Sequence, residues 1–308
     1  MREKISGGEF WFADRITENE RHQHKIKRLI VRKKTRFQTL AIVESHSFGR
    51  CLIIDDDLQS CEIDEFIYHE ALVHPAMILH GNPREVLIMG GGEGATLREV
   101  LRYKCVRNAT MVDIDSTVLE LCKEHMPAYS LGVFDDKRAS IIIQDAKRYV
   151  EEINRQFDVI VSDLCSPIEG GPAYKLYCQE FYKVLKGKLT ERGIFCAQVD
   201  SCSLTNIGVT AAIYSTLKTV FPRVELYMCY IPSFDAPWGF LIASEHHDSA
   251  DLRQEDIDQR VENLVSGKLR FYDGETHYGM FSLPKHIREE LSRKRPIITE
   301  QNPIFIFK

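Results

Sequence analysis

Four acidic residues stand where apolar stretches of this chain run out. Glu93 sits inside the turn Gly90-Gly91-Gly92-Glu93-Gly94, Asp113 comes nineteen residues after Gly94 in the stretch 109–114, Asp145 follows 141–143, and Asp163 falls near the end of 157–164. Glycines between a strand and a helix permit a tight turn and let a ligand approach the backbone closely. A carboxylate one strand further on, at Asp113, offers two acceptors and suits the two hydroxyls of a ribose. In sheets of this kind ligands bind beyond the carboxyl ends of the strands, so acids at four successive ends converge on one crevice. Any one of them taken alone reads equally well as a helix N-cap. The glutamate inside the turn narrows the ligand. It repels a pyrophosphate, which disfavours a dinucleotide. It favours a cationic sulfonium nucleoside, the more so if that nucleoside carries an ammonium group.

The elements needed to position these acids can be read from the patterning. Before residue 80, short alternating segments at 27–32, 37–44 and 48–55 read as strands, punctuated by Gly49 and by Asp55-Asp56-Asp57. A helix is expected over 67–79, ended by His80-Gly81-Asn82-Pro83. Beyond 84 the pattern becomes strand–helix alternation. Strands are expected at 86–90, 109–114, 141–143, 157–164, 193–199, 224–230 and 238–243, with helices at 96–102, around 118–126, 146–154, 178–189 and 203–220. Continuous apolar strands alternating with helices imply a mainly parallel sheet covered on both faces. The expected organisation is an N-terminal β-sheet unit with a linking helix over 1–80, then a larger α/β unit over 81–308 whose tail, from 251, forms peripheral helices.

The 308 residues are 44% apolar and carry a formal charge of −5, which argues against general attraction to nucleic acid or acidic membranes. The basic residues Lys25, Lys27, Arg28, Arg32, Lys33, Lys34 and Arg36 are interleaved with Ile26, Leu29, Ile30 and Val31, and read as one solvated face of a strand. The nine cysteines include no Cys-x-x-Cys pair and no zinc-site spacing, so reduced thiols and no metal are expected. The first ten residues are polar and no apolar run approaches about 20 residues, so a cytoplasmic protein without a membrane span is expected.

Four segments in register resemble the polyamine aminopropyltransferases of the spermidine/thermospermine synthase family. Gly90 to Glu99, GGGEGATLRE, is similar to their cofactor loop. Leu58-Gln59 and Asp64-Glu65-Phe66-Ile67-Tyr68-His69-Glu70 are similar to the segment before that loop. Asp163 to Ala173 resembles the gatekeeping loop, and Ile231 to Phe240 the substrate loop. The resemblance covers roughly residues 10–300. It implies a methyltransferase-type Rossmann-like domain behind a small antiparallel β domain, assembled as a homodimer or homotetramer. It also implies decarboxylated S-adenosylmethionine as co-substrate, with no tightly bound cofactor, and a small-molecule amine as acceptor. By the same resemblance Gln38, Asp113, Asp145 and Ala146 hold the adenosine, with Gly90, Gly92 and Gly94 in the loop around it. Gln59, Glu93 and Asp163 surround the aminopropyl group, and Tyr68 and Asp163 place and activate the attacking amine. Glu169, Tyr230, Phe234, Asp235 and Trp238 line the acceptor channel.

The chain departs from the family pattern in the gatekeeping loop, where Asp-x-x-Asp-Pro becomes Asp163-Leu164-Cys165-Ser166-Pro167. A serine thus replaces a carboxylate, which points away from putrescine and toward extended amines such as spermidine or agmatine. His69 replaces a frequent glutamine, and Phe234 a frequent tyrosine. The implied reaction is a one-step in-line displacement at the carbon next to the sulfonium. An alkylamine with a pKa near 10.4 is mostly protonated at neutral pH, and Asp163 is the candidate to accept its proton. Methyl or aminocarboxypropyl transfer from S-adenosylmethionine, and nucleoside binding without catalysis, are the alternative readings.

Overall fold

In the computed structural model, which describes residues 4–5 and 9–306, the chain forms two sheets. Residues 1–3, 6–8 and 307–308, which fall within the units expected over 1–80 and 81–308, lie outside the described residues. The first sheet is an antiparallel meander of β1 (Lys4–Ile5), β2 (Glu9–Arg15), β3 (Arg21–Lys34), β4 (Thr39–Ser45), β5 (Arg50–Ile54) and β6 (Asp57–Cys61). The expected strands are present, but β1, β2 and β6 were not foreseen and β3 starts earlier. Asp55 and Asp56 form a two-residue hairpin turn with φ of 51° and 63°, the handedness that matches strand twist. Asp57 therefore opens a strand, and the aspartate cluster does not lead into a loop. Along β3 only Ile26 is fully buried, so its alternation is weak. Its basic residues are partly neutralised across the sheet, Lys25 by Glu9 at 2.5 Å and Arg28 by Glu44 at 2.7 Å.

The second sheet contains β7 (Glu85–Gly90), β8 (Asn108–Asp113), β9 (Ala139–Ile143), β10 (Phe157–Asp163), β11 (Leu189–Ser201), β12 (Arg223–Ile231) and β13 (Ala236–Ser244), in the order β12-β13-β11-β10-β7-β8-β9. Its strands are parallel except for β13, which runs antiparallel to both β11 and β12. Leu87, Met89, Ile160 and Phe195 pack on one face against α5 (Ala146–Glu152), α6 (Gln179–Gly187) and α7 (Ile207–Leu217). Val86, Ile88, Val161 and Ile194 pack on the other, against α1 (Glu65–His80) and α2 (Ala95–Leu101). Both faces are covered, which is why these strands read as unbroken apolar runs. Helices α3 (Ser116–His125) and α4 (Pro127–Ser130) follow β8. The tail folds into α8 (Gln254–Leu264), α9 (Gly274–Phe281) and α10 (Lys285–Ser292), with α9 on β12 and α10 on α7. Helix α7 starts at Ile207 rather than 203, because the carbonyl of Ser203 accepts the amides of Asn206 and Ile207 and makes a turn of those residues. No helix among the described residues is long and apolar enough to cross a membrane.

Twelve of the sixteen residues of α1 are buried, so its polar side chains must be satisfied internally. Glu70, 1% exposed, accepts the amides of Arg270, Phe271 and Tyr272 at 2.8–3.1 Å and so anchors the segment between α8 and α9. Glu70→Gln turns an NH₂ group toward these donors. It is expected to lower unfolding stability by roughly 3 kcal/mol, the size of a lost bond to a charged acceptor. An unchanged midpoint in urea denaturation would refute this anchoring role.

Candidate active site

The strand order reverses at β7, which has β8 and β9 on one side and β10 on the other, so a crevice opens between the carboxyl ends of β7 and β10. Gly90 and Asp163 are register partners at that point. Gly90 has φ of 80°, and a Cβ there would collide with the carbonyl oxygen of Asp163, so the turn requires glycine. At Gly92 a Cβ would lie 2.7 Å from Asp113 Oδ2. At Gly91 it would lie 3.1 Å from Asp163 Oδ2, so the glycine turn brings the backbone against both carboxylates.

One cavity is lined by Gln38, Gln59, Tyr68, Gly90, Gly92, Glu93, Asp113, Asp145, Ala146, Asp163, Ser166, Phe234 and Trp238 from among the residues singled out in the sequence. Gly94 caps α2 at φ 89°, packed against Phe134 and Ser130 just outside that lining. Asp113 accepts the amide of Asp115 at 2.9 Å. Burial raises its carboxyl to about 6, with the Asp115 amide opposing the shift and the Asp115 and Asp163 charges adding to it. Asp145 caps α5, accepting the amide of Arg148 at 3.0 Å, so the helix-cap reading and the cavity position hold together. Asp163 Oδ1 accepts from the Tyr68 hydroxyl at 2.8 Å and Oδ2 from the Thr96 hydroxyl at 2.5 Å. Burial, with the Asp163 charge beside it, pushes the Tyr68 phenol well above its ordinary value, so it remains a donor.

His69 lies behind the cavity and does not line it. It is 1% exposed, with Nδ1 2.7 Å from the carbonyl of Glu65 and 2.9 Å from Glu65 Oε2. Its Nε2 is 2.8 Å from Glu93 Oε1, an ion-pair contact off the N–H axis. Burial alone would lower this imidazole, but the Glu65 and Glu93 carboxylates raise it to about 10. Burial raises Glu93, and the imidazolium opposes that shift. Glu65 is in turn held by Arg98 at 2.8 Å.

Three residues expected in the acceptor channel stand elsewhere. Glu169 is exposed on the loop after β10 and lines no part of the cavity. Tyr230, 54% exposed, donates its hydroxyl to Asp235, and both face outward at the end of the β12–β13 hairpin. Asp235 adopts φ of 48° in the turn after Pro232–Phe234, which sends Phe234 inward and its own carboxylate out. Phe234 packs on Trp238 at 4.8 Å between ring centres.

Acids that the motifs did not single out stand at one end of the cavity. Asp57, Leu58, Ser166, Phe234 and Trp238 line both the main cavity and a smaller chamber that continues it, and Asp14 and Asp200 line that chamber alone. Burial, then Asp14 and Asp200, push the Asp57 carboxyl well above its usual range, while burial raises Asp14 to about 6 and lifts Asp200 as well. Two bulges place these groups. Gln59 is the extra residue of β6 against β5, and β11 gains one residue between Gln198 and Ser201, where Asp200 takes φ of 75°. Gln198 holds this corner together, donating to the carbonyl of Leu164 at 2.6 Å and accepting the amide of Asp200 at 3.0 Å. A glutamine within the apolar run 193–199 was the signal available for it.

A doubly wound sheet with a carboxylate-walled cavity at its switch point defines an α/β protein that takes its ligand beyond the carboxyl ends of the strands. Comparison with known proteins makes the class specific. Residues 65–254 match the spermine/spermidine synthase domain, and residues 10–62 the spermidine synthase tetramerisation domain. The chain is 45% identical over 294 residues to a polyamine aminopropyltransferase of Sulfolobus acidocaldarius, covering 96% of this chain and 97% of the relative. It is 43% identical to a polyamine aminopropyltransferase of Sulfurisphaera tokodaii, covering 96% and 98%. A crystal structure of spermidine synthase in complex with the transition-state analogue AdoDATO superposes with a TM-score of 0.85 at 32% identity, covering 94% of this chain and 98% of that one. The spermidine synthase of Thermotoga maritima gives 0.83, also at 32% identity, covering 94% and 97%. The chain belongs to the spermine/spermidine synthase family and is an enzyme of its aminopropyl-transferring type.

Proposed function

We propose that this enzyme moves the aminopropyl group of decarboxylated S-adenosylmethionine to an extended amine, spermidine or agmatine, in preference to putrescine. The observation that supports this reading is the file of acids along one continuous cavity, from Asp113 through Glu93 and Asp163 to Asp57 and the Asp14–Asp200 chamber. In this reading Asp113 takes the ribose hydroxyls, Gln38, Asp145 and Ala146 flank the adenine, and Glu93 and Gln59 face the donor's ammonium. The acceptor nitrogen lies at Asp163, oriented by Tyr68. Its lone pair attacks the propyl carbon, the carbon–sulfur bond breaks, and methylthioadenosine leaves as a neutral thioether that needs no acid. Asp163 accepts the amine's proton, and alignment of the two substrates supplies the rest of the advantage.

Extended amines are favoured because Ser166 carries no charge, whereas Asp57, Asp14 and Asp200 lie past it. A distal ammonium that reaches them gains charge-assisted bonds worth about 1.5–3 kcal/mol, and Trp238 and Phe234 supply faces for the methylenes between. Assembly as a dimer or tetramer and a cytoplasmic site of action go with this reading. The test is methylthioadenosine release and product mass with decarboxylated S-adenosylmethionine and a panel of amines. Spermidine or agmatine is expected to exceed putrescine in kcat/KM. Ser166→Asp should raise putrescine efficiency by roughly tenfold or more, while Asp57→Asn should reduce only the extended amines. Putrescine as the best acceptor of the unaltered enzyme sinks the acceptor assignment.

A further inference from the structure

The β5–β6 hairpin is pinned at one end by its Asp55–Asp56 turn, in which both non-glycine residues hold positive φ. At its other end Cys51 and Cys61 face each other in register. The amide of Glu62 donates to the carbonyl of Arg50 at 2.9 Å. That bond makes the adjoining Cys51–Cys61 pair a non-hydrogen-bonded one, the position where facing Cα atoms come closest, about 4.5 Å. Such a spacing falls within the range a disulfide spans, about 4.4–6.8 Å. Directly opposed residues leave the sheet on the same face, and here the two Sγ atoms lie 3.1 Å apart. Both side chains are buried, at 3% and 1% exposure, and both are free thiols.

We propose that Cys51 and Cys61 are a disulfide-forming pair, a covalent cross-link site that staples the hairpin walling the active cavity. The oxidant is a small-molecule disulfide, RSSR. The Cys51 thiolate attacks one sulfur of RSSR and expels RS⁻, which takes up the proton Cys51 has lost. The Cys61 thiolate then attacks the Cys51 sulfur of the mixed disulfide and expels the second RS⁻. Two protein thiols are thereby oxidised by two electrons, and RSSR is reduced to two RSH. The native packing leaves no room for an R group between the strands, so exchange takes place while the hairpin is open. The cross-link holds Asp57, Leu58 and Gln59, which line the cavity, and neither sulfur lines it. Oxidation therefore changes stability and leaves turnover alone.

The test refolds the full chain from urea in two buffers, oxidised glutathione and dithiothreitol. Remaining thiols are then blocked with N-ethylmaleimide, followed by intact-mass measurement and peptide mapping. The expected result is two of the nine thiols protected in glutathione, mapping to a Cys51–Cys61 peptide pair, with Tm higher by roughly 5 °C than in the reduced form. Cys51→Ser and Cys61→Ser should each abolish both the cross-link and the Tm difference, while keeping the turnover of the reduced enzyme. Nine blocked thiols after oxidative refolding would overturn the proposal. So would a link to Cys229, which shares the same apolar cluster, or an unchanged Tm in the cross-linked protein.

Discussion

Asp163→Asn is expected to retain methylthioadenosine binding and to lose roughly 10²- to 10⁴-fold in turnover, the range that positioned general bases supply. In the unaltered chain both carboxylate oxygens are engaged, one by Tyr68 and the other by Thr96. Those donors orient the group while its remaining lone pairs face the cavity. An amide can accept from only one of the two hydroxyls, and it has no basic oxygen with which to take up an ammonium proton. The end proposed to hold adenosine, at Asp113 and Asp145, is not touched. Calorimetry with methylthioadenosine and steady-state rates at saturating amine separate the two effects. Turnover near that of the unaltered enzyme would remove Asp163 from the proposed mechanism.

The second large effect is expected at the donor end. Glu93→Gln should lower kcat/KM for decarboxylated S-adenosylmethionine by roughly tenfold to a hundredfold, the worth of one charge-assisted bond. It should also erase discrimination against the cofactor form that keeps its carboxylate. Equal affinity of the unaltered protein for both forms would contradict this role of Glu93. His69 makes the prediction sharper. Tyr68, Glu65 and His69 from α1, Cys122 from α3, Tyr129 from α4 and Asp163 from β10 all act on or sense Glu93. Among these six, His69 is the cation, and it remains one up to about pH 10. With His69→Gln the imidazolium that opposes the burial of Glu93 is gone, so its carboxyl rises further. In the proposed reading donor binding uses the Glu93 carboxylate, so the rise of donor kcat/KM with pH should move to higher pH in His69→Gln than in the unaltered enzyme, with kcat at saturating donor largely preserved. A pH profile of donor kcat/KM that does not change in His69→Gln rules this out.

Much of the larger sheet was legible from the sequence for a simple reason. Its strands are covered on both faces, so each is an apolar run, and glycine, proline or an acid marks where the run stops. The rule that ligands gather beyond the carboxyl ends of such strands placed Glu93, Asp113, Asp145 and Asp163 in one crevice before any coordinates, and they line one cavity. The small sheet was less legible. The strand β3 is solvated on most positions and has little period, and a turn of two aspartates looks like the beginning of a loop.

What only tertiary structure decided is the acidic end of the cavity, at Asp57, Asp14 and Asp200. Asp57 comes from one sheet, Asp200 from a bulge in the other, and Asp14 from a strand more than forty residues before Asp57 in the chain. They meet because Phe12, Val43 and Ile53 of the first sheet share a core with Ile231 and Ala236 of the second and Phe234 of the turn between them. Packing between two sheets leaves no periodic trace in either sequence. Nor does spacing reveal that a left-handed turn at Asp235 directs that carboxylate to solvent and Phe234 inward, or that His69 stands behind Glu93 instead of inside the cavity. Residue types and strand ends were local information, carried by hydrophobic period and turn chemistry. The direction each side chain faces was settled by bulges, backbone handedness and the docking of one sheet on the other.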